Sequence, residues 1–244
     1  MATATRLRAA DAIRRLRALG SPERGAFAER YFKTGPGEYA EGDRFLGLRA
    51  KDMHALAREF EALPLGEVAA LLRSKWHEAR LLALLVLVRQ YPRATEDARE
   101  AIVRLYLANT ARINNWDLVD CSAAAIVGAH LERGDRRLLR RLARSPLVWE
   151  RRIAIIATLH YIRRGDFADT LAVAALLVDD DHDLIHKAAG WMLREVGKRD
   201  RRAEEAFLGR HAARMPRTML RYAIERFPEP LRQRYLRVGR VRPS

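Results

Sequence analysis

The sequence predicts an all-α protein, a HEAT-like helical-repeat solenoid with a concave basic face. Three observations carry this expectation. Apolar residues recur with a period near 3.6 in segments rich in Ala, Leu, Arg and Glu, which is the pattern of amphipathic helices. Breakers arrive roughly every 12 to 20 positions, and no alternating pattern with hairpin turns intervenes. Trp76, Trp116, Trp149 and Trp191 are separated by 40, 33 and 42 residues, the loose period of paired-helix repeats. A helix pair of that kind cannot close its own core. Stacking the pairs buries a continuous apolar seam and leaves one curved face.

In chain order, Leu7, Ala10, Ile13, Leu16 and Leu19 recur at helical spacing and predict a first helix. The Arg-rich start has the composition of a transit peptide, but Asp11 interrupts its basic bias. Gly20-Ser21-Pro22 ends that helix. Thr34 to Asp52 carries Gly35, Gly37, Gly42 and Gly47 and predicts a loop between the second and third helices. No Gly-Lys-Ser/Thr follows to make it a phosphate cradle, yet a loop this long inside a compact domain usually binds something. Further breaks fall at Leu63-Pro64, Tyr91-Pro92 and Asn114-Asn115, then at Arg133-Gly134-Asp135, Ser145-Pro146 and Gly165-Asp166. The last are Asp179 to Asp183, Met215-Pro216 and Pro228-Glu229-Pro230. Between them, HEARLLALLVL from His77, NWDLVDCSAAAIVG from Asn115, WERRIAIIATL from Trp149 and HKAAGWMLRE from His186 each begin polar and continue apolar. No linker divides the chain, so residues 1–244 are expected to form a single domain, with about 232–244 a flexible basic tail.

Charge narrows the function. The 244 residues carry a formal net charge of +15 and a pI near 10.8, which favours a polyanionic partner, nucleic acid or membrane. Lysine occurs only at positions 33, 51, 75, 187 and 198, so arginine supplies most of the charge. Its planar fork matches phosphate with two parallel hydrogen bonds, which points to nucleic acid. The plainer reading is that compositional bias supplies arginines that merely solvate helix faces. The apolar run Leu81 to Val88 is too short to span a bilayer. A single cysteine, Cys121, excludes a disulfide framework, multi-cysteine zinc sites and iron–sulfur clusters, and suits a reducing, cytoplasmic compartment.

Superimposing the apolar runs places Arg80, Asp120, Arg152 and Lys187 at about the same early-helix position, at intervals of 40, 32 and 35 residues. Aligning on the tryptophans shifts Asp120 by one place. Three cations on one face would follow a DNA backbone. One carboxylate among them repels phosphate, so it needs a reason. Glycosidic bond cleavage is one, because positive charge develops on the sugar in an oxocarbenium-like state. A fixed carboxylate stabilises that charge and orients a water. Trp116 and Trp191 would stack on an electron-poor, cationic base, and Arg152 would clamp a phosphate. The structural alternatives are simple: an acid near a helix start is favoured by the dipole, a periodic tryptophan is usually repeat core, and exposed arginines are usually solvated. His182 and His186, beside Asp179, Asp180, Asp181 and Asp183, have a metal-like spacing, but acids at a helix start explain them more cheaply, and no metal site is assigned. Cys121 reads as a small core filler. Arg136, Arg140 and Arg144 form a stripe that fits either DNA or solvent.

The strings YFKTGPGEYAEGDRFLGLR, NNWDLVD, WERRIAI and HKAAGWMLREVGK, in that order from about Tyr31 to Lys198, resemble the DNA alkylation repair family of AlkD-like HEAT-repeat DNA glycosylases. The resemblance implies a DNA-facing concavity lined by Trp116 and Asp120 of the W-D-x-V-D string, Arg152 of the W-x-x-R string and Trp191. It also implies a backbone contact from Tyr31. The implied activity is excision of positively charged N3- and N7-alkylated purines from duplex DNA, with no metal or organic cofactor. Asn115 stands where the type member has a further tryptophan, and the glycine loop is longer, which bears on substrate range. The expected protein is a monofunctional glycosylase acting as a monomer, with Arg80, Lys187 and Tyr31 on the DNA backbone. Two other readings share the composition: a DNA-lesion or DNA-structure binding protein without activity, and a scaffold for an acidic protein.

Overall fold

The computed structural model describes residues 7–238 and contains no β-strand among them. Contacts gather within two compact units, Met1–Ser122 and Ala123–Ser244. The first holds α1 (Ala9–Leu19), α2 (Pro22–Tyr31), α3 (Ala50–Glu59), α4 (Leu65–Leu72), α5 (His77–Gln90), α6 (Glu96–Leu107) and α7 (Trp116–Asp120). The second opens on a π-helical turn, Ala124–Gly128, and continues through α8 (Ala129–Leu131), α9 (Arg137–Leu142), α10 (Val148–Ala157) and α11 (Leu159–Ile162). It closes with α12 (Ala168–Leu176), α13 (Asp183–Gly197), α14 (Arg201–His211), α15 (Arg217–Ala223) and α16 (Glu229–Leu236). The all-helical expectation therefore holds, and every predicted break coincides with a helix end or a 3₁₀ turn.

Local chemistry explains the boundaries. Pro22 occupies the first turn of α2, where its missing N–H costs nothing, and the Ser21 hydroxyl accepts from the Arg24 N–H. Asp200 caps α14 by accepting from the Ala203 N–H at 3.0 Å. In the first unit α5 is the central element, packed by α3 and α4. His77 to Leu87 are buried on it except Leu81. A buried leucine contributes about 1.5–3 kcal/mol, so this one helix anchors the unit. In the second unit α13 takes that role against α10, α14 and α15. Gly190 permits the approach: a Cβ there would lie 2.4 Å from the Met219 carbonyl oxygen of α15.

Three sequence expectations are corrected. The buried stripe of α1 is Ala9, Ala12 and Leu16, with Ala10 turned to solvent and Leu19 exposed, because α4 and α5 receive that face. The glycine loop ends at Arg49 rather than Asp52, since α3 begins at Ala50 with Asp52 in its acid-favouring first turn. Residues through Leu236 are helical, with Arg217 donating to the carbonyls of Leu236 and Val238. The rest of the expected basic tail lies outside the described residues.

Candidate functional site

The register read from the apolar runs holds for Asp120, Arg152 and Lys187 and is one place off for Arg80. Asp120, Arg152 and Lys187 are each the fifth residue of their helices, and Arg80 is the fourth of α5. Aligning on tryptophan fails at Trp191, which sits mid-helix in α13 while the other three stand at helix starts.

Equivalent positions do not have equivalent surroundings, and Arg80 is the clearest case. Its side chain is buried, with Nη2 on Asp43 at 2.7 Å and Nη1 on the Ser74 carbonyl at 3.0 Å. The expected phosphate contact is therefore corrected: Arg80 holds the glycine loop from within. Two neighbours on α5 join it. The Glu78 carboxylate accepts from the N–H groups of Leu46 at 2.8 Å and Gly47 at 2.7 Å. The His77 N–H donates to the Arg44 carbonyl at 2.8 Å. On the other side, Arg24 of α2 donates to the Gly47 carbonyl at 2.7 Å. Gly47 has φ +77°, and a Cβ there would meet Ser21 oxygen and Gly25 nitrogen at 2.4 Å, so only glycine fits. What reads in sequence as a loose loop is a clamped element.

The clamp continues into the aromatic cluster. Phe32 stacks on Phe45 at 4.9 Å and on Trp116 at 5.3 Å, and Phe45 stacks on the His77 ring at 4.4 Å. Tyr31 meets Trp116 edge-on at 6.2 Å and is 57% exposed, so the cluster runs from solvent inward. Trp116 is half-buried and donates through its indole N–H to the Tyr39 hydroxyl. Asp120 follows Trp116 by four residues, one turn along α7, and is half-buried. The two groups thus share a helix face. Sequence reasoning paired Trp116 and Asp120 correctly on one helix and placed Tyr31 in the same enterprise.

It missed the charges beneath them. His77 is 1% exposed, with Nε2 2.8 Å from Asp117 of α7 and Nδ1 3.6 Å from Asp43 of the loop. Burial presses the charged form of His77 down. The attraction of Asp117 and the bond to it, joined by Asp43, outweigh burial and push the imidazole up to about 8. Burial would raise Asp43 as well, but His77, Arg80 and Asn114 hold its carboxyl below the usual range. The signal was present in HEARLL, where three charged or titratable residues open a helix that is then apolar from Leu81 to Val88. Periodicity singles out only Arg80 among them and directs it outward.

In the second unit the predicted residues are positioned by helix packing. Arg152 is 5% exposed and donates through Nη1 to the Leu184 carbonyl in the first turn of α13 at 2.5 Å. Lys187 pairs with Asp183 at 2.6 Å. Trp191 is half-buried and donates to Glu195 at 3.2 Å. Trp149 is buried in the core. Arg136 turns inward, onto Asp166 at 2.6 Å and over the Tyr161 ring at 4.2 Å, so the stripe read as DNA-facing is engaged by the protein at its first member. The His182 ring accepts from the Leu184 N–H and the His186 ring meets the Asp180 carbonyl. Among the described residues, no group of three or more His, Cys, Asp or Glu is placed to hold a metal. Burial, with Asp117 and Asp120 nearby, raises the Cys121 thiol far above its ordinary range, so it packs as a neutral group. No helix among the described residues is long and apolar enough to cross a membrane.

These features define the class: an all-helical protein with a basic surface and a tryptophan–aspartate pair on one short helix. The chain belongs to the DNA alkylation repair enzyme family, whose model matches residues 12–227. Among solved structures it is similar to a predicted DNA alkylation repair enzyme from Enterococcus faecalis, at 18% identity and a TM-score of 0.67. That likeness covers 86% of this chain and 97% of the other, and it shows a shared fold. No curated protein matches the chain.

Proposed function

We propose that the protein is a monofunctional DNA glycosylase of HEAT-like repeat architecture that releases cationic N3- and N7-alkylated purines from duplex DNA. The observation that carries the reading is the Trp116–Asp120 pair, four residues apart on α7, half-buried and flanked by the exposed Tyr31. Asp120 stabilises the positive charge that develops on the deoxyribose as the C1′–N bond breaks, and it orients the water that adds to C1′. The purine leaves with its electron pair and is already cationic, so no general acid is required. Trp116 presents its aromatic face to the lesion nucleotide, and Tyr31 contacts the backbone.

Trp191, Arg152 and Lys187 of the second unit add an aromatic face and positive charge toward the DNA. Arg152 acts chiefly through its field, since its side chain is buried. No cofactor takes part. A monomer in a reducing, cytoplasmic compartment fits the lone cysteine.

The test is base release from methylated duplex DNA. Asp120→Asn is expected to keep duplex affinity and to release base at least 100-fold more slowly, in line with loss of a charge-stabilising group. Unchanged release removes Asp120 from the chemistry. Salt-dependent duplex binding with no release by the wild type leaves a DNA-binding protein without activity, and absence of salt-dependent binding overturns both.

A further inference from the structure

We propose that His77 is a positioning residue, a buried bridge between Asp43 of the glycine loop and Asp117 of α7 that sets the attitude of the helix carrying Trp116 and Asp120. It rests on the glycosylase reading only for its effect on rate, because the bridge itself is a property of the fold.

The geometry singles out this side chain. Two other pieces of chain meet at one ring: the loop, with Asp43 at 3.6 Å and Phe45 stacked on the ring face at 4.4 Å, and α7, with Asp117 at 2.8 Å. Phe32, the residue that follows α2, closes the other approach at 5.2 Å. The charged groups around the ring are few and specific. Asp117 comes from α7, Asp43 from the loop, and Arg80 from α5 itself, with Arg112 acting on Arg80 from the segment before α7. Glu78, the next residue on α5, is turned to the loop amides.

With His77 protonated, two cations and two carboxylates balance in a largely buried site. An imidazolium has an N–H on each nitrogen: Nε2 donates to Asp117, while Nδ1 faces Asp43 at 3.6 Å, an ion pair longer than a hydrogen bond. A neutral ring offers only one, so the other carboxylate faces a lone pair. Asp43 keeps Arg80 and Asn114 in either state. Asp117 has, besides His77, the longer-range attraction of Arg80, and its other oxygen accepts the N–H of Leu118 within α7. The remaining proton stays on Nε2, where Asp117 is within hydrogen-bond distance, so the bond to α7 survives deprotonation but loses the strength that charge gives it. Trp116 precedes Asp117 directly, and Asp120 lies one turn beyond it, so a shift of α7 moves both groups that address the damaged nucleotide. Displacements of about 1 Å at such groups cost on the order of 100-fold in rate.

The first experiment uses the wild-type chain: a nitrogen-15 NMR titration of the histidine rings. His77 is expected to hold a proton on both ring nitrogens at pH 7 and to lose one near pH 8. A neutral His77 at pH 7 overturns the proposal. The second is hydrogen exchange over residues 114–122, which should quicken at least tenfold in His77→Gln while α13 is unchanged; equal protection overturns it too. The third is single-turnover release from methylated duplex DNA. The wild-type rate should fall above pH 8, whereas His77→Gln should be about tenfold slower at pH 7 and flat across that range, with duplex affinity held within twofold. If His77→Gln fails to fold, Asp117→Asn carries the exchange and rate arms. Failure of the wild type to release any base counts against the glycosylase reading alone, because titration and exchange still judge the bridge.

Discussion

The two units position comparable residues by opposite means. In the first, Trp116 and Asp120 stand on a five-residue helix that could not persist by itself. It is held through a layer of buried charge: Arg80 on Asp43, His77 on Asp117 and Asp43, and Glu78 on the loop amides. In the second, Trp191 and Lys187 lie on the fifteen-residue α13, fixed by apolar packing and by the close approach at Gly190. The difference teaches where each site is fragile. Buried charge is directional and all-or-none, since one missing partner leaves another stranded. Packing fails by volume and locally.

Breaking the charge layer should cost most. Arg80→Met removes the guanidinium and leaves Asp43 buried, at an expected cost of about 3–5 kcal/mol, read from the midpoint of urea unfolding. Adding Asp43→Asn should recover a large part of that loss, because the stranded carboxylate is gone. A cost below about 1 kcal/mol for the single change would show that the loop is not clamped through Arg80. The matching change in the second unit is Gly190→Ala. Its new methyl meets the Met219 carbonyl and the Tyr222 Cβ, so about 1–3 kcal/mol is expected, with the indole fluorescence of Trp191 shifted. Gly209→Ala on α14 meets nothing within 4 Å and serves as the control, with stability unchanged or raised by up to about 1 kcal/mol.

The same contrast explains what could be read from the sequence. Helices, breaks and the shared register of Asp120, Arg152 and Lys187 follow from local periodicity, which one chain displays in full. Trp116 with Asp120 was legible because four residues on a helix is a local distance. Asp43 with His77 and Arg80 was not: those groups are separated by more than thirty residues, and nothing in their spacing says that a glycine loop folds onto α5. Arg80 was misdirected for a related reason. Periodicity identifies which residues share a helix face, but not whether that face meets solvent or a loop.

A pH scan sharpens the comparison at about 2 kcal/mol. His77 has a folded value near 8, above its unfolded 6.5, so the stability it contributes is fully present below pH 6.5 and is lost as pH rises through 8. A difference of about 1.5 units corresponds to about 2 kcal/mol. The second unit holds a buried titratable group of its own. Glu204 is 1% exposed, and burial pushes its carboxyl up to about 8, with Glu205 adding to the rise and Arg201 and Arg194 opposing it. Raised above its unfolded value, Glu204 also favours the folded state less as pH rises from about 4.5 to 8. Both units should therefore lose stability on the alkaline side. In Glu204→Gln the remaining decline is expected to be confined to pH 6.5–8, and in the double variant with His77→Gln it should vanish. A decline that persists in the double variant would place the titrating group elsewhere.

The smallest expected effect carries the opposite sign. Lys33 has φ +55°, the left-handed conformation that glycine adopts at low cost. The position requires it: α2 closes with the Lys33 N–H on the Arg30 carbonyl at 3.3 Å and the Thr34 N–H on the Glu29 carbonyl at 3.2 Å, a turn whose left-handed site is usually glycine. Lys33→Gly should therefore stabilise the first unit by up to about 1 kcal/mol, visible as a rise in Tm. An exposed lysine in a conformation that costs stability, two residues from Tyr31, is expected to contribute to phosphate contact. The same variant should then reduce the slope of log affinity against log salt for duplex DNA by about 1. A rise in Tm with an unchanged salt slope would make Lys33 a helix end and nothing more. A fall in Tm would show that its side chain makes contacts in the folded protein that outweigh the backbone strain.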